Sequence, residues 1–210
     1  MKNPLPLFGS MHHIRAKQFL IAVLLSFGFA HSGFSDTVTY EFDLDQETQN
    51  ATITGSDVDI SASTFTVAGA GAYNGNWGYT NSAPTDSDSG ANYLFIRGGA
   101  VTSSFNTSDY ASFTVTANTG SFDVTGASLF ARTGGSGQET NFALRSDVDS
   151  FATDLFTGSS TATSSFDSFN TSSITGITGE TSVEFRLYVW GSTGNPDTHR
   201  YDDISLTVVP

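Results

Sequence analysis

The sequence predicts an all-β protein, an antiparallel β-sandwich of jelly-roll-like character, and three observations carry that expectation. Apolar and polar residues alternate along most of the chain after residue 35. Short alternating runs are separated by Gly, Asn, Asp and Ser clusters such as Asn118-Thr119-Gly120 and Gly134-Gly135-Ser136-Gly137. No stretch keeps a helical period. Short strands at this spacing mark a sandwich or barrel, because a period of two places alternate side chains on one buried face.

The elements follow in order. In Val38 to Asp45, the residues Val38, Tyr40, Phe42 and Leu44 share one face while Glu41, Asp43 and Asp45 share the other, a half-buried first strand. Further strands are expected over 51–54, 58–62, 64–67, 93–97, 111–117, 121–125, 127–131, 142–146, 182–190 and 200–209. Two segments break the pattern. Residues 67–90 form a long Gly/Asn/Ser/Asp-rich loop carrying Tyr73, Trp77 and Tyr79, a length that in compact domains usually means either function or disorder. Residues 158–173, dominated by Ser and Thr, suggest a mobile connection or an irregular edge.

Two regions divide the 210 residues. Arg15 and Lys17 precede an apolar run from Phe19 to Ala30, with small residues at Ala30-His31-Ser32 and Gly33-Phe34-Ser35 for cleavage, so residues 1–35 read as a signal peptide. The run falls short of the roughly 20 residues that span a bilayer. Met11-His12-His13-Ile14-Arg15 makes a compact basic start, and translation is expected to begin at Met11. Residues 36–210 then form a single domain with one core.

Charge and cysteine content narrow the partners. Both lysines and Arg15 leave with the signal, so the mature chain holds five arginines against 21 acidic residues, a formal charge of −16. Such a field repels nucleic acid and anionic membranes. The absence of cysteine excludes disulfides, thiolate metal sites and cysteine nucleophiles. His199 is the one histidine of the mature region, set in a turn without a Gly-x-Ser-x-Gly elbow, which argues against a Ser-His-Asp hydrolase and for a solvated histidine.

The final segments join Phe185-Arg186-Leu187-Tyr188-Val189-Trp190 to Tyr201-Asp202-Asp203-Ile204 through a polar turn, which reads as a closing hairpin. Together with Asn141-Phe142-Ala143-Leu144-Arg145-Ser146-Asp147-Val148-Asp149-Ser150-Phe151-Ala152, this ending resembles bacterial extracytoplasmic proteins of the PEP-CTERM type. In these a Phe-Arg-Leu-Tyr strand and an Arg-x-Asp-Asp/Asn-hydrophobic strand close the domain before a Val-Pro-Glu-Pro sorting signal. The resemblance covers residues 113–210, stops at Val209-Pro210, and is to a form whose sorting tail is missing. It implies an extracytoplasmic protein, secreted or on the surface of a cell that makes exopolysaccharide or matrix. It implies no common activity.

Two kinds of site are expected. On the strand over 183–190, alternation turns Val183, Phe185, Leu187 and Val189 inward and Glu184, Arg186, Tyr188 and Trp190 outward. An outward Arg-Tyr-Trp row can stack on sugar rings while the guanidinium bonds hydroxyls; a covering loop is the plainer alternative. Trp77, with Tyr73 and Tyr79, offers either a second platform or a plug over the end of the sandwich. Structural calcium is the other expectation, by analogy with secreted jelly-roll modules that hold the ion between their first and last strands. Glu41 and Asp43 would lie at one end and Asp202 and Asp203 at the other, since calcium takes six to eight oxygens; otherwise Asp202 and Asp203 only blunt an edge strand.

The functional expectation is a non-catalytic β-sandwich that binds extracellular polysaccharide or another matrix component. The alternatives are a jelly-roll glycan hydrolase using Glu41, Asp43 and Asp45, whose third carboxylate is an Asp where Glu is required for the acid/base separation, and a purely structural matrix domain.

Overall fold

The computed structural model describes residues 35–40, 50–55, 58–68, 77–80, 93–97, 101–191 and 198–210. All of them belong to the compact unit Gly33–Pro210. They build two antiparallel sheets, the sandwich that the alternation predicts.

One sheet has seven strands. β8 (Asp123–Thr133) and β1 (Asp36–Tyr40) flank β13 (Thr198–Val209), β11 (Asp167–Thr171) closes the β8 side and β2 (Thr52–Thr54) closes the β1 side. The first part of β13 also pairs with β6 (Tyr93–Arg97), which pairs in turn with β5 (Trp77–Thr80). The second sheet has six strands in the order β10 (Phe156–Ser160), β9 (Thr140–Ser146), β12 (Ser182–Gly191), β7 (Tyr110–Ala117) and β3 (Ile60–Ala62), with β4 (Thr66–Ala68) further along β7. From β7 to β13 the chain changes sheet at all but one connection, the jelly-roll-like habit.

The core lies between the sheets where the inward faces meet. Phe113 and Phe185 stack with centroids 5.3 Å apart, and Tyr40 from the other sheet closes on Phe113 at 4.8 Å. Val183, Leu187, Leu129, Ile204 and Leu206 fill the same space and are buried. Each fully buried side chain of this size contributes about 1.5–3 kcal/mol relative to an exposed one.

Several expectations are corrected. The strands over 182–190 and 200–209 do not form a hairpin: β12 belongs to the six-stranded sheet and β13 to the seven-stranded one. Alternation fixes which residues share a face and leaves the pairing open. The runs over 121–125 and 127–131 are one strand, β8, with a register shift opposite Thr207 and Val208 where Gly126 sits. Bulges of this kind admit an extra residue without ending the ladder. Residues 158–173 contain parts of two edge strands, β10 and β11, held in register by β9 and β8. The long loop carries β5 within it. His199, expected in solvent, is buried in β13 with its Nδ1 2.8 Å from the Thr140 hydroxyl oxygen.

Candidate functional site

The alternate positions of β12, in the six-stranded sheet, carry the Arg-Tyr-Trp row that alternation singled out. On β12 the burial alternates as expected up to Leu187; Glu184, Arg186, Tyr188 and Trp190 hold the alternate positions, with Tyr188 buried and Trp190 half-buried and packed against the core cluster. Register then dictates their neighbours. Arg186 lies opposite Ser112 on β7 and Arg145 on β9; Tyr188 lies opposite Tyr110 and Ala143; Trp190 lies opposite Asn141.

These side chains interleave aromatic and guanidinium planes. The Arg186 guanidinium carbon sits 4.2 Å from the Tyr110 ring centroid and 3.7 Å from that of Phe151. Arg145 lies 4.3 Å from the Phe105 centroid and 5.7 Å from that of Tyr188. Phe105 in turn tilts against Tyr188 at 5.1 Å and meets Trp190 edge-on at 5.4 Å. Cations over ring faces gain from the aromatic quadrupole, the more so when partly desolvated.

Carboxylates fix both arginines. Arg145 Nε donates to Asp154 Oδ1 at 2.5 Å and its Nη1 to the Phe151 carbonyl at 2.9 Å. Arg186 Nε donates to Glu184 Oε1 at 2.7 Å. Burial works against the charge of Arg186, and hydrogen bonds with Glu184 and Tyr188 together with the Glu184 charge outweigh it, so its pKa is displaced upward. It remains a cation throughout.

A 3-10 turn, Asp147–Asp149, brings Phe151 to this row. Ser150 and Phe151 both take left-handed backbone angles, with φ of 62° and 61°. The turn is pinned from three directions: Asp147 Oδ1 accepts from the Glu184 amide, Asp149 Oδ1 accepts from the Ala152 amide, and the Phe151 amide donates to the Ser146 carbonyl. The Asp149 carboxyl is held below its usual range chiefly by its hydrogen bond with the Thr153 side chain.

The expected platform is therefore partly covered. Tyr188 is only 2% exposed, beneath Phe105. Trp190, Phe105, Tyr110 and Phe151 are half-buried and still present surface. Phe105, Tyr110, Arg145 and Phe151 were absent from the expected ligand set; Arg145, at an outward position of the strand expected over 142–146, is the one that alternation could have found.

The other expected residues fare differently. Tyr73, Glu41 and Asp43, with Asp45, lie outside the described residues. Trp77 and Tyr79 belong to β5, at register positions opposite Ile96 and Leu94, both of which are buried. Asp202 and Asp203 do not blunt an edge: β13 is an interior strand and both are buried. Asp203 has φ 45° at a bulge against β8, and its amide donates to Asp202 Oδ1 at 3.0 Å. Tyr40, the last described residue of β1, lies opposite Ile204 on β13. Among the described residues, no group of three metal-ligating side chains forms.

No protein family and no curated protein matches this sequence. Solved structures match weakly. One is the TmCBM61 module in complex with beta-1,4-galactotriose, at 13% identity and TM-score 0.39, covering 68% of this chain and 86% of the module. Another is a cleaved adhesin domain of Lys-gingipain from Porphyromonas gingivalis, at 11% identity and TM-score 0.39, covering 81% of this chain and 96% of the domain. A third comprises the N-terminal CBM22-1-GH10 modules of a Clostridium thermocellum endo-1,4-beta-D-xylanase complexed with xylohexaose, at 17% identity and TM-score 0.36, covering 63% of this chain and 26% of that one.

Proposed function

We propose that this chain is a non-catalytic, extracytoplasmic β-sandwich that binds extracellular polysaccharide on the outward side of its six-stranded sheet. The observation that carries this reading is the row of half-buried rings, Trp190, Phe105, Tyr110 and Phe151, interleaved with Arg145 and Arg186. Sugar rings bring apolar C–H faces and hydroxyl edges, and rigid aromatic surface beside fixed polar groups is the complement to both. Placement outside the cytoplasm rests on the basic and apolar N-terminal segment and on the resemblance to PEP-CTERM-type proteins. No helix among the described residues is long and apolar enough to cross a membrane.

A structural calcium at the meeting of β1 and β13 belongs to the same proposal. Asp202 and Asp203 would supply carboxylate oxygens there, with further oxygens required from Glu41 and Asp43.

Depletion of the protein from solution by insoluble polysaccharides tests the glycan reading. Binding to at least one of them, weakened in Trp190→Ala, is the expected result, with no release of reducing sugar. Reducing-sugar release would replace it with the hydrolase alternative, and no depletion would favour a purely structural matrix domain. That second reading has its own support in Tyr188, whose ring is spent on packing.

A further inference from the structure

One end of the aromatic row continues across three adjacent strands as a line of outward residues in a single register. Trp190 on β12 lies opposite Asn141 on β9, and Asn141 lies opposite Ser159 on β10. Neighbouring strands are about 4.8 Å apart, so the line runs for about 10 Å. Asn141 and Trp190 are half-buried and Ser159 is exposed. The Ser159 hydroxyl donates to Glu139 Oε1 at 2.7 Å, and Glu139 is itself exposed.

Asn141 is the unusual member. Its backbone carbonyl accepts from the Tyr201 hydroxyl, yet among the described residues its carboxamide makes no hydrogen bond, and neither does the Trp190 indole N–H. A carboxamide offers two donors and an acceptor in one plane. That set matches two neighbouring hydroxyls on a sugar, one accepting and one donating. An indole beside it adds apolar surface and a further donor, and the Glu139 carboxylate adds an acceptor.

Charge selects among glycans. Among the described residues, Arg145 and Arg186 are the cations of this row, and Asp154 and Glu184 already engage them. Asp147 and Asp149 border the row and Glu139 stands at its end, so two guanidinium groups meet five carboxylates. A uronate polymer approaching Asn141 would meet a field of its own sign, and like-charge juxtaposition disfavours binding.

We infer that Trp190, Asn141 and the Ser159–Glu139 pair form one subsite for a neutral, hydroxyl-rich glycan, running across β12, β9 and β10. This rests on the glycan reading above and specifies its ligand class and its polar contacts. Trp190 supplies the apolar surface, the Asn141 carboxamide bridges adjacent hydroxyls, and the Glu139 carboxylate accepts from a third. Gly191 positions the end of the line: with φ 146°, it lets β12 run so close to β9 that a Cβ there would fall 2.2 Å from the Glu139 carbonyl.

The test is retardation of the full chain in native gels cast with β-1,4-galactan, xylan, galactomannan or polygalacturonate, with Asn141→Ala and Glu139→Gln alongside. Both variants change outward side chains and should keep the parent thermal midpoint. Retardation by at least one neutral polymer is expected, with affinity falling roughly tenfold in Asn141→Ala, the loss of one or two hydrogen bonds, and by a smaller factor in Glu139→Gln. Retardation by polygalacturonate as strong as by any neutral polymer would overturn the neutral assignment and leave the glycan reading standing. Neutral retardation unchanged in both variants would overturn this subsite alone. Retardation by none of the four, joined with failure of depletion by insoluble polysaccharides, would remove the underlying reading and the subsite with it.

Discussion

The Arg186 guanidinium carbon stands 3.7 Å from the ring centroid of Phe151, a residue that reaches this position from a left-handed backbone with φ 61°. A non-glycine residue in that region carries about 1 kcal/mol or more of strain, so the contact and the hydrogen bonds of the turn offset a local cost. Removing the ring while keeping the strain separates the two terms. Phe151→Ala should lower stability by about 1–2 kcal/mol through the lost stacking, whereas Phe151→Gly should lose less because glycine accepts φ of 61° freely. Urea unfolding of the pair gives the difference, and equal losses would show that the backbone there is unstrained.

Gly158 on β10 faces Phe142 on β9 in the ladder. A Cβ at Gly158 would lie 2.6 Å from Phe142 Cε1 and Cζ and 2.6 Å from Phe169 Cδ1. Phe142 and Phe169 meet edge to face at 5.1 Å across the two sheets, so neither ring can yield without disturbing the other. Gly158→Ala should destabilise the domain by about 1–3 kcal/mol, and thermal unfolding will show it as a lowered midpoint.

Tyr40 makes the fold sensitive to alkali. Burial, opposed by a hydrogen bond with the Ser63 side chain, raises the phenol well above its ordinary value near 10. A raised pKa means that the folded state holds its proton after the unfolded chain has released it. The Tyr40 contribution is therefore complete below about pH 10 and is lost progressively as pH rises above it. Tyr40→Phe should cost about 1 kcal/mol at neutral pH and should flatten the loss of stability above pH 10. A parallel decline in both proteins would assign the alkaline sensitivity to other groups.

Asp149 sets the opposite limb. Its lowered pKa contributes stability above the usual carboxylate range that is lost as pH falls through the folded value. The protection factor of the Ala152 amide, which donates to the Asp149 carboxylate, should fall on acidification before the core opens, and Asp149→Ala should remove that protection at neutral pH.

The proposed calcium has a separable signature. Adding calcium to chelator-treated protein should raise the thermal midpoint by several degrees, since an ion that binds only the folded state stabilises it by mass action. Asp203→Asn should remove that rise. No shift in the parent protein would leave Asp202 and Asp203 serving the β13 bulge alone.

How much of this was legible in the sequence depended on how strongly each strand is patterned. The strand over 182–190 was plain because Val183, Phe185, Leu187 and Val189 enter the core at every second residue. β10 and β11 were not, since they carry one anchoring phenylalanine on each core-facing side, Phe156 and Phe169, among Ser, Thr, Gly and Asn. Their extended backbone is imposed by β9 and β8, a tertiary effect that local propensity cannot report. Gly126 looked like a break and is a bulge. Tyr188 and Trp190 lie on the row that alternation marked as outward, yet Tyr188 is buried and Trp190 packs against the core cluster; alternation could not show that Phe105 and Phe151 would come to cover or extend their row.

Pairing of Asp36 with Val208 sets an order of events for synthesis. β13 is the shared neighbour of β1, β6 and β8, so none of these three gains its central partner before Thr198–Val209 has been made. Until then β1, with Val38 and Tyr40, lacks the partner strand that covers that side of it. Closing so long a loop is slow, so the seven-stranded sheet is the later of the two to assemble its centre.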